Sequence, residues 1–471
     1  MGDKSSSKNK LGVISLVMIT VGSVDSIRNL PASAQLGSHL IFFYLLGAFL
    51  FFIPSALIAA ELSSSDKPLA GIYDWVKHAF GARAGVCAVW FQWTENLFWY
   101  PLILSLVVKL ILSVVLPNSQ ADTFSTHLLL TLSIISVFWI ITFINISGIQ
   151  ASAYFATFCT IAGLIIPFLF IIGMGVAWHY SGKVYHLSLH FGNVIPGFRD
   201  GGWSSLTVIM LSLMGIEVAT VHSNNVTNPG RSFPVSLLIS SVILLFTLIG
   251  GSLAIAFVLP VGSYNSFDAI AKFFTHVCAQ FHLTFLVPYL ILAVVIGLLG
   301  SVNNWVIAPS SGLRYAAAQG DLPQVFRFTN SKGAPWFMLV IQGCIVTLIS
   351  IVFLIMPSLQ SSFKLLSAIA SQQYACMYIL MFAAAVKMRL HETSIVSGFR
   401  IPGGNAIVFI LALIGSISML AVIVVGFTPP AGASLQSVIE YEFVMFGGML
   451  IFLFSVLGLH RYARTNVKKT D

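Results

Sequence analysis

Long apolar stretches recur along the whole chain, and short polar loops separate them. About twelve of these stretches are long enough to cross a membrane as a helix, which needs about 20 apolar residues. We number them segments 1 to 12 in chain order. Their approximate centres are Ile19, Phe51, Pro101, Trp139, Ile165, Leu213, Leu245, Gly300, Thr347, Ala375, Ile417 and Phe452. A membrane β-barrel would show short alternating strands instead. The pattern therefore predicts an all-α polytopic membrane protein.

Composition supports this class. Of the 471 residues, 57% are hydrophobic and 8% are charged, whereas roughly a quarter of the residues of a soluble protein are charged. The first apolar run is too long for a signal peptide and has no small-residue cleavage site after it, so we expect segment 1 to remain in the protein. The five cysteines are scattered without metal-ligand spacing or a disulfide pattern, and we expect no metal and no cofactor.

The basic residues predict the orientation. With the N-terminus inside, seventeen of the 23 Lys and Arg residues fall in the N-terminus, the inner loops and the C-terminal tail, and five fall in the outer loops. Basic residues concentrate on the cytoplasmic side of membrane proteins. We therefore expect both termini in the cytoplasm, in a bacterial inner membrane. The net charge of +8 is explained by this topology, so nucleic acid is not an expected partner.

Two segments contain a glycine beside polar residues at membrane depth. Segment 1 contains the stretch TVGSVDS, which starts at Thr20, and segment 6 contains SLMGIE, from Ser212 to Glu217. Interrupted helices at matching positions in two halves mark the binding sites of many transporters. Each of these segments would be the first of a five-helix half. The alternative is a pair of glycine kinks with a packing role only, because glycine is frequent in membrane helices.

A break in a membrane helix exposes backbone N–H and C=O groups, which must then contact protein, water or ligand. The start of the outer half of segment 1 would present N–H groups to an anion. The end of the inner half of segment 6, near Met214, would present carbonyls to a cation. A ligand with a carboxylate and an ammonium group, such as an amino acid, fits both ends.

Several motifs resemble those of amino acid–polyamine–organocation (APC) transporters. They are LMGIE followed by HSNNVTNPGRSFP in segment 6, AGIYDWVKHAFG after segment 2, APSSGLRYAAAQGDLP after segment 8 and FRIPGG before segment 11. Within this superfamily the chain is most similar to the glutamate/γ-aminobutyrate antiporters. The resemblance covers nearly the whole chain. It implies a LeuT-type fold with a 5+5 inverted repeat, discontinuous helices 1 and 6, and amino acid exchange by alternating access.

The resemblance also implies a division of the chain and a set of site residues. The repeats would span residues 11–182 and 203–390, after a cytoplasmic N-terminus (1–10) and before segments 11 and 12 (404–463) and a short tail (464–471). The α-carboxylate would lie on unwound residues of segment 1, and the ammonium on carbonyls of segment 6. Trp305 would line the cavity, and Glu217 would couple the two broken helices. These substrate-binding candidates are Gly22, Ser23, Val24, Asp25, Ser26, Arg28, Leu211, Ser212, Met214, Gly215, Glu217 and Trp305.

Two features depart from the superfamily pattern. Several members carry a Lys or Arg on segment 5 near the cation site of sodium-coupled relatives, whereas this chain has Thr157 in about that place. The coupling ion is therefore open, and protons are one candidate. The second departure is the pair Asp25 and Arg28. Their i, i+3 spacing allows a local ion pair. The alternative is that Arg28 meets a substrate carboxylate while Asp25 meets an ammonium or a proton, since ionisable groups at membrane depth are usually paired or functional.

Four further residues are weaker candidates for substrate binding or gating. Glu95 in segment 3 could line the cavity or serve as a structural hydrogen-bond partner. His222 could titrate near neutral pH, although a structural role is the more common one. Asn303 lies two residues before Trp305, and Gln372 belongs to a polar patch in segment 10 that could equally bond between helices.

These observations favour a secondary active amino acid transporter, with an antiporter of the glutamate/γ-aminobutyrate type preferred. A proton-coupled symporter of neutral amino acids is the main alternative. A channel would need a continuous polar path. An enzyme would need a nucleophile–base pair or metal ligands, and none is visible, so we expect no catalytic activity. Expected partners are amino acid substrates and the lipid bilayer. The sequence is compatible with a monomer or a homodimer.

Overall fold

The computed structural model describes residues 11–64, 69, 71–116, 123–147, 158–184, 186–187, 194–196, 206–260, 262–356, 358–391, 398–428 and 435–467. Side chains at 207, 222–225, 435–438, 440 and 466–467 are not described. In this part of the chain every regular element is a helix. Within the described residues, one isolated parallel β-bridge joins Leu11 to Val226.

The first half of the chain forms seven helices. Segment 1 forms α1 (Val13–Val24) and, after a 3₁₀ turn (Ile27–Asn29), α2 (Leu30–Ala34). The others are α3 (His39–Ser63), the amphipathic α4 (Gly71–Phe80), α5 (Ala82–Val115), α6 (Phe124–Ile146) and α7 (Phe158–Tyr180).

The second half forms eight helices. They are α8 (Leu206–Leu213), α9 (Pro229–Val258), α10 (Ala269–Gln280), α11 (Val287–Ala318), α12 (Trp336–Ile355), α13 (Leu359–His391), α14 (Gly404–Gly426) and α15 (Leu435–Val467). Helix α8 is followed by a 3₁₀ helix, Val218–Asn225.

Eleven apolar helices in the described ranges are long enough to cross a membrane. The sixth predicted segment is interrupted, and its apolar helical part, Val208–Val221, is shorter. The all-α polytopic class is thus confirmed, while the count of twelve crossings stays a prediction. Segments 1 and 6 are both discontinuous, as predicted.

Small residues allow close packing around segment 1. A Cβ at Gly163 of α7 would lie 2.2 Å from the Gly297 backbone of α11, and a Cβ at Gly22 would lie 2.8 Å from the Thr160 hydroxyl. The backbones of α7 and α11 therefore touch directly beside the break in segment 1. Such contacts between glycines are common where membrane helices approach closely.

Ion pairs connect three helices on the predicted cytoplasmic side. Asp321, which follows α11 and is buried, accepts hydrogen bonds from the Tyr73 hydroxyl (2.6 Å), Lys77 Nζ (2.6 Å) and Arg464 Nη2 (2.9 Å). Burial alone would raise the pKa of Asp321, but the bonds from Lys77 and Tyr73 and the neighbouring positive charges outweigh it and lower the pKa below 3.8. This network joins α4, α11 and α15.

Candidate functional site

The break in segment 1 is two residues long. Asp25 and Ser26 have extended backbone, and the amide of Asp25 still donates to the Val21 carbonyl at 2.9 Å. Gly22 to Val24 form the last turn of α1, so the prediction that these residues are unwound is wrong. The glycine is explained by packing, since any side chain at Gly22 would meet Thr160 of α7.

The outer half of segment 1 is short. It consists of the 3₁₀ turn Ile27–Asn29 and the five-residue helix α2. Because a helix dipole is the sum of aligned peptide units, so short a helix attracts an anion weakly. The full positive charge of Arg28, which lies in the 3₁₀ turn, is the stronger attraction at this end of the break.

The break in segment 6 lies where the sequence predicts it. Helix α8 ends at Leu213, and Gly215 has φ = +108°, a backbone conformation that other residues rarely adopt. A Cβ added to Gly215 would lie 3.4 Å from Val24, 3.5 Å from Trp305 and 3.6 Å from the Tyr374 hydroxyl. The two breaks therefore face each other, and Trp305 lies beside both.

Glu217 follows this break and is almost completely buried. Its carboxylate accepts hydrogen bonds from Gln92 Nε2 (3.0 Å), the Tyr374 hydroxyl (2.7 Å) and the Tyr378 hydroxyl. The Tyr378 hydroxyl in turn accepts the amide hydrogen of Gly215 at 2.7 Å. Glu217 thus joins segment 6 to segments 3 and 10, and Tyr378 fixes the unwound backbone beside it.

Trp305 connects the broken segment 1 to α5. Its indole Nε1 donates to the Ser23 carbonyl at 3.0 Å, and its own carbonyl accepts from the Tyr100 hydroxyl at 2.8 Å. The Trp305 ring lies 6.1 Å from the ring of Trp99. An aromatic wall of α5 and α11 therefore faces the two breaks.

Arg28 points toward this wall. Its guanidinium lies 5.9 Å from the centre of the Trp99 ring, within the range of a cation–π contact. The side chain is 3% exposed, and its Nε and Nη1 have no hydrogen-bond partner. Glu95, also buried, is the acidic group that acts electrostatically on Arg28, and its charge also acts on Glu217. Arg28 is a buried cation with unused donors.

Asp25 points the other way. Its Oδ2 accepts from the Thr247 hydroxyl of α9 at 2.7 Å, and its Oδ1 is buried without a partner. The local Asp25–Arg28 ion pair considered from the sequence is therefore wrong. The physical reason is the extended backbone between the two residues, which removes the helical repeat that would place them on one face.

A cavity of about 220 Å³ leads away from this site. It is lined by Gln92 and Trp305 at one end and by Tyr73, Arg314 and Tyr315 at the other. The second group lies near Asp321 and its partners, on the predicted cytoplasmic side. The cavity thus extends from Trp305 toward the predicted cytoplasmic side.

The remaining predicted site residues form hydrogen bonds with different parts of the protein. Met214 is buried in the break, where its amide donates to the Leu211 carbonyl at 3.3 Å, and the Ser212 hydroxyl donates to the Ile209 carbonyl. Asn303 accepts from Asn145 of α6, and Gln372 donates to the Ile423 carbonyl of α14. Asn303 and Gln372 therefore bond between helices. The side chain of His222 and the whole of Thr157 lie outside the described residues.

Three residues that complete the site were missed from the sequence. Tyr378 lies four residues after Tyr374, which belongs to the polar patch of segment 10. This i, i+4 spacing places both tyrosines on one face of the helix and was a usable signal. Trp99 was one of several tryptophans in segment 3, with nothing to distinguish it. Thr247 is a single hydroxyl in an apolar helix, and such residues most often bond to their own backbone.

A known protein family matches nearly the whole chain. The sequence profile of one family, described as amino acid permease, matches residues 11–452. The chain belongs to the amino acid permease family. This assignment confirms the resemblance to APC transporters.

Individual relatives of this permease are moderately similar. An uncharacterised transporter of Legionella pneumophila (strain Philadelphia 1) is 34% identical over 450 residues, which is 95% of this chain and 96% of the relative. A glutamate/γ-aminobutyrate antiporter of Lactococcus lactis subsp. lactis is 27% identical over 93% of this chain and 88% of the relative. A probable agmatine/putrescine antiporter of the same subspecies is 22% identical over 85% of this chain and 84% of the relative.

Proposed function

We propose that this permease is an amino acid antiporter of the glutamate/γ-aminobutyrate type, with an acidic amino acid as one of its substrates. The observation that carries the proposal is Arg28, a buried guanidinium with two nitrogens that lack partners. A buried charge whose donors lack hydrogen-bond partners is costly at membrane depth. Guanidinium and carboxylate form strong two-point hydrogen bonds, so a substrate carboxylate is the group that best completes this site.

The other charges near the breaks suit the rest of an amino acid. Glu95 brings negative charge near Arg28, Glu217 brings negative charge near Glu95, and the carbonyls at the end of α8 add partial negative charge. An ammonium group is attracted to this side. Segment 1 supplies the remaining polar backbone at Asp25 and Ser26. A molecule with two carboxylates and one ammonium matches the arrangement better than a neutral amino acid does.

Two relatives that align over most of the chain are named antiporters, which supports exchange as the mode of transport. The inward cavity and the two facing breaks support alternating access. We further propose a location in a bacterial inner membrane with both termini in the cytoplasm, on the strength of the distribution of basic residues.

Exchange is tested with the purified protein in liposomes. We expect uptake of labelled glutamate to rise at least about tenfold when the liposomes are preloaded with glutamate or γ-aminobutyrate. Equal uptake into empty liposomes would contradict antiport. Uptake into empty liposomes that is driven by a proton gradient and restricted to neutral amino acids would instead identify the symporter.

The role of Arg28 is tested with Arg28→Gln and the charge-conserving control Arg28→Lys. If Arg28 binds the side-chain carboxylate, Arg28→Gln loses dicarboxylic substrates and keeps neutral ones. Arg28→Lys keeps part of the dicarboxylic activity, because it retains the charge and loses the two-point geometry. An equal loss for every substrate in the panel would contradict this assignment.

A further inference from the structure

A second, much smaller cavity lies behind the break in segment 1, away from Arg28 and Trp305. Its volume of about 10 Å³ is close to the minimum that holds one water molecule. Asp25 and Ser26 line one side, Thr160 of α7 a second, and Ser301 and Asn304 of α11 a third. Asp25 Oδ1 and Ser26 Oγ are buried here without hydrogen-bond partners.

The groups that face Asp25 bring no positive charge to it in the described part of the chain. They are Tyr44 of α3, Thr247 of α9, Cys159 and Thr160 of α7, and Ser301 and Asn304 of α11. Arg28 lies on the opposite side, toward Trp99 and Glu95. A buried carboxylate ion without a cation is strongly disfavoured, and such groups become neutral instead.

The contacts of Thr247 match a neutral Asp25. The Thr247 hydroxyl has a single hydrogen, yet three acceptors lie within reach: Asp25 Oδ2 at 2.7 Å, the Ile243 carbonyl at 2.9 Å and the Leu244 carbonyl at 3.1 Å. If Asp25 carries a proton on Oδ2, it donates to Thr247, which donates in turn to a carbonyl of its own helix. Both hydroxyl groups are then satisfied.

We propose that Asp25, held by Thr247, binds a proton that is carried across the membrane during amino acid exchange. This inference rests on the proposed antiport function and adds a coupled ion to it. The site is separate from the cavity of about 220 Å³ beside Trp305. Asp25 belongs to one of the two broken helices, so a movement of segment 1 that admits water to this cavity lets the carboxyl ionise. The proton is taken up from water on the side where glutamate binds and is released to water on the other side. The return step with γ-aminobutyrate then takes place with Asp25 ionised and its cavity hydrated.

Proton movement is measured in liposomes with a trapped pH-sensitive dye. The liposomes are preloaded with γ-aminobutyrate, labelled glutamate is added outside, and sodium is absent. We expect about one proton to enter per glutamate in the wild type. The ratio falls to less than about a tenth of this value in Asp25→Asn and recovers in Asp25→Glu, which restores the acid. Exchange that requires sodium at constant pH would overturn the proposal, because the cavity would then hold a metal ion.

A second pair of variants leaves Asp25 in place. Thr247→Val removes the acceptor of its proton, which disfavours the protonated form. The pH midpoint of exchange should therefore move down by about half a unit or more. The matched control is Ser240→Ala, a buried hydroxyl on the same helix, which should leave the midpoint unchanged. An upward shift in Thr247→Val would show that Thr247 donates to an ionised Asp25, and no shift would remove Thr247 from the site. Either result overturns the proposal.

The two proposals fail in different ways. If preloading does not accelerate uptake, the antiport function is wrong. If preloading accelerates uptake and no protons accompany the substrate, the antiport function stands and the proton site at Asp25 is wrong.

Discussion

Asp25 and Arg28 lie three residues apart and point in opposite directions from the same break. Asp25 contacts Thr247 of α9, whereas Arg28 contacts Trp99 of α5. Two residues of extended backbone are enough to separate them, because side chains alternate in direction along an extended chain. One short break therefore serves two different regions of the protein.

This separation predicts that the two residues act independently. Residues without a shared contact have nearly additive effects. The losses of exchange rate in Asp25→Asn and Arg28→Gln should therefore multiply in the double variant, to within about twofold. Exchange rates in liposomes are measured for the wild type, the two single variants and the double variant, which together form a double-mutant cycle. A double variant that is more active than Arg28→Gln alone would show that the two residues balance each other after all.

Glu217 is predicted to hold the site together. Glu217→Ala leaves the hydroxyls of Tyr374 and Tyr378 and the amide of Gln92 without their common acceptor. Hydrogen bonds to a charged group contribute about 1.5–3 kcal/mol each, so we expect exchange to fall by about a hundredfold or more while the protein still reaches the membrane. Exchange rates are normalised to the amount of protein in the membrane. Full activity in a well-expressed variant would contradict this role.

Tyr378 provides a finer test of the same network. Tyr378→Phe removes a donor to Glu217 and the acceptor of the Gly215 amide, and we expect about a tenfold loss of exchange. The control is Tyr441→Phe, whose hydroxyl donates to the Gly426 carbonyl between α14 and α15. Equal losses in the two variants would indicate a general effect of removing a tyrosine hydroxyl.

Gly163 is predicted to be required for the packing of α7 on α11. In Gly163→Ala the new methyl group would lie 2.2 Å from the Gly297 backbone, and overpacking of this kind destabilises by about 1–3 kcal/mol. Gly173, on the same helix, has no atom within 4 Å of the position of a Cβ. Thermal unfolding in detergent should therefore occur at a lower temperature in Gly163→Ala than in Gly173→Ala. The same unfolding temperature in both variants would refute the contact.

The Asp321 network predicts an acid-sensitive contribution to stability. Its pKa is lower in the folded protein than the usual 3.8, so its ionised form stabilises the fold above that pH. The stabilisation is lost as the pH falls through the lower, folded value. Asp321→Asn should therefore unfold at a lower temperature than the wild type at pH 6. The difference should shrink as the pH is lowered below about 3.8. A constant difference across this range would exclude the titration of Asp321 as its cause.

The hydropathy pattern was sufficient to predict the class of fold and the position of the break in segment 6. Gly215 has a positive φ at this break, and the polar residues Ser212 and Glu217 beside it indicated the break in the sequence. The break in segment 1 was predicted too wide, because glycine at position 22 has a packing role that depends on Thr160, a residue far away in the sequence. A single sequence does not reveal such a contact.

The same limit applies to the site. Glu217 and Trp305 could be named from motifs, since each lies inside a recognisable stretch. The partners of Asp25 and Arg28 could not, because Thr247 and Trp99 are brought to them by helix packing. A helical spacing of three residues suggested an ion pair, and the local backbone, which the spacing does not report, decided against it.

The direct contact between Gly163 and Gly297 has a consequence for movement. Neither residue has a side chain that could interlock with the opposite helix, so α7 and α11 meet here as two smooth surfaces. A displacement along the helix axes changes no side-chain rotamer at this point. By contrast, Trp305 of α11 is hydrogen-bonded to Ser23 of segment 1 and to Tyr100 of α5. A small shear at the glycine contact therefore meets no interlocked side chains, whereas Trp305 restrains α11 against segment 1 and α5.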